Sequence, residues 1–476
     1  MISLERQINN QVLERYHGFL NNFYKPNLET YLRNLNKKIN FLETNELTKT
    51  RIMDIIYRNT LMSKTLGSKE FLDISNGEKA LMGGEYVKVG AVLCIDGRLP
   101  IAYQFGRIIN TKEIAGSLIS LSENGKTITD RRFISILDQA ANENRELLEI
   151  VTAHTSLRHK DHRCGAIAKG LAKGTFHGEP DEVATEEAEK RAGAIETKYN
   201  EILLSKDKKA QKKVALTVII DTDTMGLILN FGKGNQLSTT EITKNLASKI
   251  TQKLENIGGF GSMKETFNDP KSYIDYSKKV LKVTSYLMKE EVSENESSVE
   301  EINKYIDQYY NDLTPVQKNA LLFTICRTIA NQYVTGLASE QVSSHYYLDH
   351  GESYMDVSPP GKPWGRFDPK QSFASVPADR NEMLSQVTTK LELMDKNNGE
   401  KPYILFVSTP ISKQILAHPD ITLVEVEDAA IVYFQKLFKN KNIKNRVKEG
   451  SLIIVPMLIN EENGEALAIR DYSIYL

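Results

Sequence analysis

The sequence predicts an α/β fold preceded by a helical N-terminal segment, and three observations predict it. Residues 1 to about 80 carry apolar side chains at mixed three- and four-residue spacings, with polar residues filling the gaps. From residue 86 onward, apolar runs rich in strand formers alternate with helical stretches. The same alternation returns in the last third of the chain.

In order, Leu13, Phe19, Leu20 and Phe23, then Leu32, Leu35, Ile39 and Leu42, set out the N-terminal helical layer. Gly83-Gly84 punctuates the chain. The largely apolar run Tyr86 to Cys94 reads as a buried strand. A helix is expected over 129–145, and a strand over Leu147 to Ala153 that ends at His154. A further helix is expected over 185–204, and a strand over Val214 to Ile220 that ends at Asp221-Thr-Asp-Thr224. Residues 271–340 read as mainly helical, Val316 to Tyr333 most clearly. After a break at Pro359-Pro-Gly-Lys-Pro363, Lys401 to Ser408 and Leu452 to Leu458 read as strands and Asp428 to Phe438 as a helix. The expected domains are therefore a helical 1–80, a central α/β 81–340 and a C-terminal α/β 341–476. The two α/β parts read as distant duplicates.

Composition narrows the function. A chain of 476 residues suits two or three domains, and 40% hydrophobic with 26% charged residues is ordinary for a globular protein. A formal net charge of -1 argues against broad attraction to nucleic acid or acidic membranes. The polar N-terminus lacks the apolar core of a signal peptide, and no apolar stretch has the length of a membrane span. The cytosol is the default compartment. Cys94, Cys164 and Cys326 are too few for a disulfide framework and stay available as thiols.

Two of those cysteines carry the candidate chemistry. Cys94 and His154 each end a predicted strand, and Cys164 opens the helical run Cys164-Gly-Ala-Ile-Ala-Lys-Gly-Leu-Ala172. Ligands gather at the carboxyl ends of strands in open α/β sheets. Two thiolates and one imidazole form a zinc set that leaves a fourth position for water. His159 and His162 also precede Cys164 and are rivals for the imidazole; strand-end placement favours His154. The other two are then exposed loop residues or proton shuttles. Asp96 and Arg98 follow Cys94 closely enough to form a charge-assisted pair. Arg98 would hold Asp96 off the metal, and Asp96 would orient the bound nucleophile.

Cys94-Ile-Asp-Gly-Arg98 matches the Cys-x-Asp-x-Arg motif of the β-class carbonic anhydrases, and the chain resembles that family. Cys164-Gly-Ala166 resembles the Cys-Gly end of its second motif, although nine residues separate His154 from Cys164 where the family usually has His-x-x-Cys. That longer insertion resembles the carboxysomal shell carbonic anhydrases, a divergent branch. Cys94 to Leu99 resembles the branch's Cys-Ala-Asp-Gly-Arg-Leu, and Thr152-Ala-His-Thr-Ser156 its Thr-His-Ser segment. Ile220-Asp-Thr-Asp-Thr224 resembles Val-Asp-Thr-Asp-Thr, Ala115-Gly-Ser117 resembles Ala-Gly-Ser, and His350 to Val357 is similar to a His-Ala-Glu-Arg-Tyr segment.

The resemblance implies a carbonate dehydratase, a lyase in which zinc-bound hydroxide reversibly hydrates carbon dioxide to bicarbonate. It implies a helical domain, a catalytic domain and a diverged second α/β half that replaces the partner subunit of an ordinary β-class dimer. No cysteine follows Cys326, so that half lacks the metal site and one Zn2+ per chain is expected. Two thiolates weaken zinc as an acid, so activity should rise toward alkaline pH. A homo-oligomer, dimer or higher, and a carboxysome shell or cargo partner belong to the same implication, with the carboxysome as the alternative compartment. A zinc hydrolase of carbon disulfide or carbonyl sulfide is the second reading. A zinc-stabilised shell or scaffold protein with little activity is the third.

The remaining features read as structural. Asp221 and Asp223 could suggest a magnesium site, but hydrogen bonding to loop backbone is favoured. Cys326 belongs to an apolar helix core, His345 and His350 to a domain junction, and Trp364 to a packed junction. Gly232-Lys-Gly234 and Gly258-Gly-Phe-Gly261 are turns. The lysine-rich stretches Lys206 to Lys213 and Lys439 to Lys448 are solvated surface at helix ends or in loops.

Overall fold

The computed structural model describes residues 44–66, 68–94, 110–113, 118–119, 121–159, 163–254, 257, 270–289, 298–339, 354–358, 373–377, 383–396, 401–411, 437–460 and 466–469. They are α/β and fall into two compact units. One draws on Lys69–Thr266 and Ser272–His350, the other on Met1–Ser68, Phe267–Lys271 and Gly351–Leu476.

Helices α1 (Glu46–Leu66) and α2 (Lys69–Met82) come first. They bear out the helical reading for their own span; Leu13 to Leu42 lie outside the described residues. Gly83 leaves α2 with φ 77°, a left-handed conformation that glycine adopts without a Cβ penalty. The chain then enters β1 (Val87–Leu93) and continues through β2 (Asn110–Glu113), α3 (Arg131–Asn142) and β3 (Glu146–Thr155). Next come α4 (Gly165–Ala172), α5 (Pro180–Ser205), β4 (Ala215–Asp221), β5 (Gly226–Leu229), β6 (Leu237–Ser238) and α6 (Thr239–Lys253). Helices α7 (Pro270–Lys289), α8 (Ser298–Tyr309) and α9 (Pro315–Thr335) follow.

The first sheet runs β2-β1-β3-β4-β5-β6, with the first four strands parallel and the last two antiparallel. Strands β1, β3 and β4 are buried along almost their whole length, which is why they read as continuous apolar runs. Helix α5 lies against β3 and β4, and α9 against β1, β3 and β5. Because the parallel strands share a direction, Leu93, Thr155 and Asp221 end on one edge of the sheet.

Helix α9 is buried on nearly every side. Its start is fixed by a capping box in which Thr314 Oγ1 accepts from the Gln317 backbone and Gln317 Oε1 accepts from the Thr314 backbone. The same Gln317 amide donates to Leu147 O and Lys213 O, both at 2.8 Å, which locks α9 to the entry ends of β3 and β4. Arg327 on α9 pairs with Glu78 on α2 at 2.8 Å, both almost fully buried. Cys326 is core, as expected.

In the second unit β7 (Tyr354–Ser358), β8 (Phe373–Pro377), α10 (Met383–Lys396), β9 (Tyr403–Ile411), α11 (Lys441–Lys448), β10 (Leu452–Asn460) and β11 (Ala466–Ile469) follow one another. The sheet order is β11-β10-β9-β7-β8, with β10 and β11 antiparallel and the other pairs parallel. Read from the other edge it is β8-β7-β9-β10-β11. This is the arrangement β2-β1-β3-β4-β5 of the first sheet, with the same parallel and antiparallel pairs. The first sheet adds β6.

The strands expected around residues 90, 150, 217, 405 and 455 are present within about three residues. Strands β2, β5, β6, β7, β8 and β11 were not expected. All have at most five residues, too short to set a clear period. Of the expected Asp428–Phe438 helix only 437 and 438 are among the described residues, and His345, His350, Trp364 and Gly258-Gly-Phe-Gly261 lie outside them. Gly232-Lys-Gly234 is the turn between β5 and β6. The second lysine-rich stretch is mostly the helix α11 rather than loop. The first forms local ties, among them Lys206 with Asp138 at 2.9 Å and Lys213 with Glu196 at 3.3 Å. No helix among the described residues is long and apolar enough to cross a membrane.

Candidate metal centre

Three elements deliver the three candidate ligands to one place. Cys94 is the residue that follows β1, His154 is the penultimate residue of β3, and Cys164 is the N-cap of α4. Their ligand atoms all lie within 4.8 Å of one another. The residues are 5%, 2% and 4% exposed, so the cluster is buried. Among the described residues this is the group of His, Cys, Asp and Glu with metal-binding geometry.

The donor set fits zinc. Bonds of about 2.3 Å to sulfur and 2.0–2.1 Å to nitrogen in a tetrahedral array hold neighbouring donors roughly 3.5–3.8 Å apart. The observed spread needs only a small contraction to reach that. Thiolate and imidazole are also the ligands that select zinc over the harder divalent cations. Zinc takes four ligands and these side chains supply three, so the fourth place falls to water, substrate or a residue outside the described set.

Electrostatics agree. The Cys94 thiol is pushed well above its ordinary range, first by its hydrogen bond with Cys164, then by burial and by the charge of Cys164; His154 opposes the shift. Two thiolates side by side in a dry site repel each other and have lost their hydration. A divalent cation reverses that balance, because the sulfurs bind it as thiolates. Cys164 also sits at the N-terminus of α4, where unpaired backbone N–H groups favour negative charge.

The loop joining His154 to Cys164 is held by carboxylates. Asp223, fully buried, accepts from Ser156 Oγ at 2.9 and 3.0 Å and from the Arg158 backbone at 2.6 Å. Ser156 Oγ in turn accepts from the His159 backbone at 3.0 Å. Asp221 accepts from the backbone of Leu157 at 3.3 Å and of Asp223 at 3.2 Å, and from Thr224 Oγ1 at 2.7 Å. Burial raises the Asp221 pKa, the Thr224 hydroxyl holds it back, and the Asp223 charge raises it further. At the far end, Asp181 Oδ1 accepts from Thr155 Oγ1 at 2.7 Å, and Asp181 Oδ2 pairs with Arg163 at 3.2 Å.

The structure therefore brings together Cys94, His154 and Cys164 as the spacing predicts. His159 is exposed and stands outside the cluster. His162 lies outside the described residues, as do Asp96, Arg98 and Ala115-Gly-Ser117. Asp221 and Asp223 bind loop backbone, in line with the structural reading. Ser156, Arg163 and Asp181 were not singled out by sequence. Each is an ordinary polar residue, and Asp181 acts on partners 18 and 26 positions earlier in the chain. Compared with protein-family models and with curated proteins, the chain matches none.

Proposed function

We propose that this chain is a zinc-dependent carbonate dehydratase that reversibly hydrates carbon dioxide to bicarbonate. The observation that carries the reading is the buried convergence of Cys94, His154 and Cys164 at the carboxyl edge of a parallel sheet. The Cys94-Ile-Asp-Gly-Arg98 segment, which resembles the β-class motif, begins at the first of these ligands.

Zinc held there supplies an acidified water, since favourable sites draw its pKa from 15.7 to roughly 7. Cys94, His154 and Cys164 bind the metal. Asp96, two residues past Cys94, would accept a hydrogen bond from a water held there and so orient it. Arg98 would pair with Asp96 and hold that carboxylate away from the metal. The apolar end of β1, Ala91 to Leu93, lies beside the ligands and suits a small apolar substrate, while Thr152 and Thr155 keep the end of β3 polar.

The same reading assigns the second unit the place of a diverged half. The support is its strand arrangement, which repeats that of the first sheet, together with the absence of any cysteine after Cys326. A helical N-terminal part and one zinc per chain complete the proposed layout.

Metal analysis with stopped-flow hydration tests the proposal. The wild type should hold about one zinc per chain and hydrate carbon dioxide faster as pH rises from neutral to alkaline. Cys94→Ala, His154→Ala and Cys164→Ala should each lose zinc and activity. A zinc-loaded wild type that leaves carbon dioxide untouched sinks the reaction, and turnover of carbonyl sulfide or carbon disulfide by that sample would redirect it. Zinc retained in His154→Ala and lost in His162→Ala would overturn the ligand choice.

A further inference from the structure

We infer that Asp181 is a positioning residue of the metal centre: it staples together the two ends of the loop between His154 and Cys164, while Asp223 pins the start of that loop to the turn after β4. The inference rests on the metal-binding reading of Cys94, His154 and Cys164, and is independent of which substrate they serve.

Nine residues separate the two ligands. A free loop of that length lets its ends drift, so the imidazole and the second sulfur would have to be gathered each time a metal binds. One carboxylate removes that freedom. Thr155, held by Asp181 Oδ1 at 2.7 Å, is the neighbour of His154. Arg163, paired with Asp181 Oδ2 at 3.2 Å, is the neighbour of Cys164. The two oxygens of a single side chain thus bridge the residues flanking both ligands.

Asp181 is itself well anchored. It lies in the first turn of α5, after Pro180, where the helix dipole favours a carboxylate. The side chains of Arg163 and Asp181 are only 22% and 19% exposed, which spares the pair the screening of a surface bridge. At the loop's start, the buried Asp223 takes Ser156 Oγ and the Arg158 backbone, and Ser156 passes the constraint on to the His159 backbone. A tie at each end makes the ligand spacing a property of the folded apo protein. Groups that orient ligands in this way commonly govern metal affinity.

The test uses the full chain stripped of metal and titrated with zinc against a chromophoric chelator, then with Co2+ followed by its visible absorption. Asp181→Asn and Asp223→Asn keep size and shape but remove the charge; Ser156→Ala replaces Asp223→Asn if the latter fails to fold. Ile325→Val, a buried change on α9 away from the loop, controls for general loss of stability. Zinc affinity should fall about 10- to 100-fold in the loop variants. Their Co2+ bands should shift or broaden, while Ile325→Val lowers the melting temperature and keeps wild-type affinity. Unchanged zinc affinity in Asp181→Asn overturns the staple, as does an equal loss in Ile325→Val. A wild type that binds no zinc overturns the metal reading and the staple with it. Zinc binding without carbon dioxide hydration sinks the proposed reaction alone, and the staple is then judged on the affinities.

Discussion

Cys94 occupies a position where a thiolate is costly until a cation arrives. The hydrogen bond with Cys164, then burial, hold its proton in place well above the ordinary thiol range. The sign of the pH effect follows. A group protonated in the apo protein and ionised in the metal complex gives up its proton on binding, so affinity strengthens as pH rises. Titration of the apo protein with zinc in a weakly buffered indicator should release at least one proton per metal. Apparent affinity should climb about tenfold per pH unit for each proton released between pH 6 and 8. An affinity flat across that range would mean that Cys94 is not a ligand. The ligand residues were legible in the sequence because each belongs to a type that binds zinc and sits at the end of a strong apolar run or the start of a helix. Arg163 and Asp181 were illegible because their roles depend on a contact between a loop end and the first turn of α5, which no local pattern encodes.

At the scale of elements, the turn between β4 and β5 shows how a polar core can be as demanding as an apolar one. Thr224 Oγ1 lies 2.9 Å from Thr240 Oγ1, Gln332 Nε2 donates to Thr240 Oγ1 at 2.8 Å and to Thr224 O at 3.1 Å, and Thr243 Oγ1 donates to Gln332 Oε1 at 3.1 Å. These buried bonds tie the Asp221-Thr-Asp-Thr224 turn to α6 and α9. Gly226 is the gap that lets them close, since a Cβ there would stand 2.2 Å from Thr240 Oγ1 and 2.9 Å from Gln332 Nε2. Gly226→Ala should therefore cost about 1–3 kcal/mol, the usual range for overpacking. Urea unfolding checks it; a midpoint equal to wild type would show that the network yields freely. The strong apolar strands β1, β3, β4, β9 and β10 were expected because burial on both faces writes itself into composition. The short strands β2, β5, β6, β7, β8 and β11 were missed because their pairing comes from neighbours already in place, not from their own sequence.

For the whole molecule, the consequence of two compact units is that metal stabilisation should be local. All three ligands belong to the unit of the first sheet. Zinc at 100 times its dissociation constant stabilises the species that binds it by about 2.7 kcal/mol. Hydrogen exchange on the full chain should show added protection in peptides from β1, β3 and β4 and none in peptides from β9 and β10. Equal protection in both sheets, or in neither, would contradict that expectation.

The sequence by itself determined the α/β class, the principal buried strands and the residue types able to take a metal. Period and composition are local quantities, and burial imposes them directly on the chain. The tertiary structure alone decided the strand order that the two sheets share and that Asp181 and Asp223 close the loop between the ligands. Those outcomes depend on which distant segments meet, and a carboxylate that binds partners on two other elements leaves no periodic trace in its own neighbourhood.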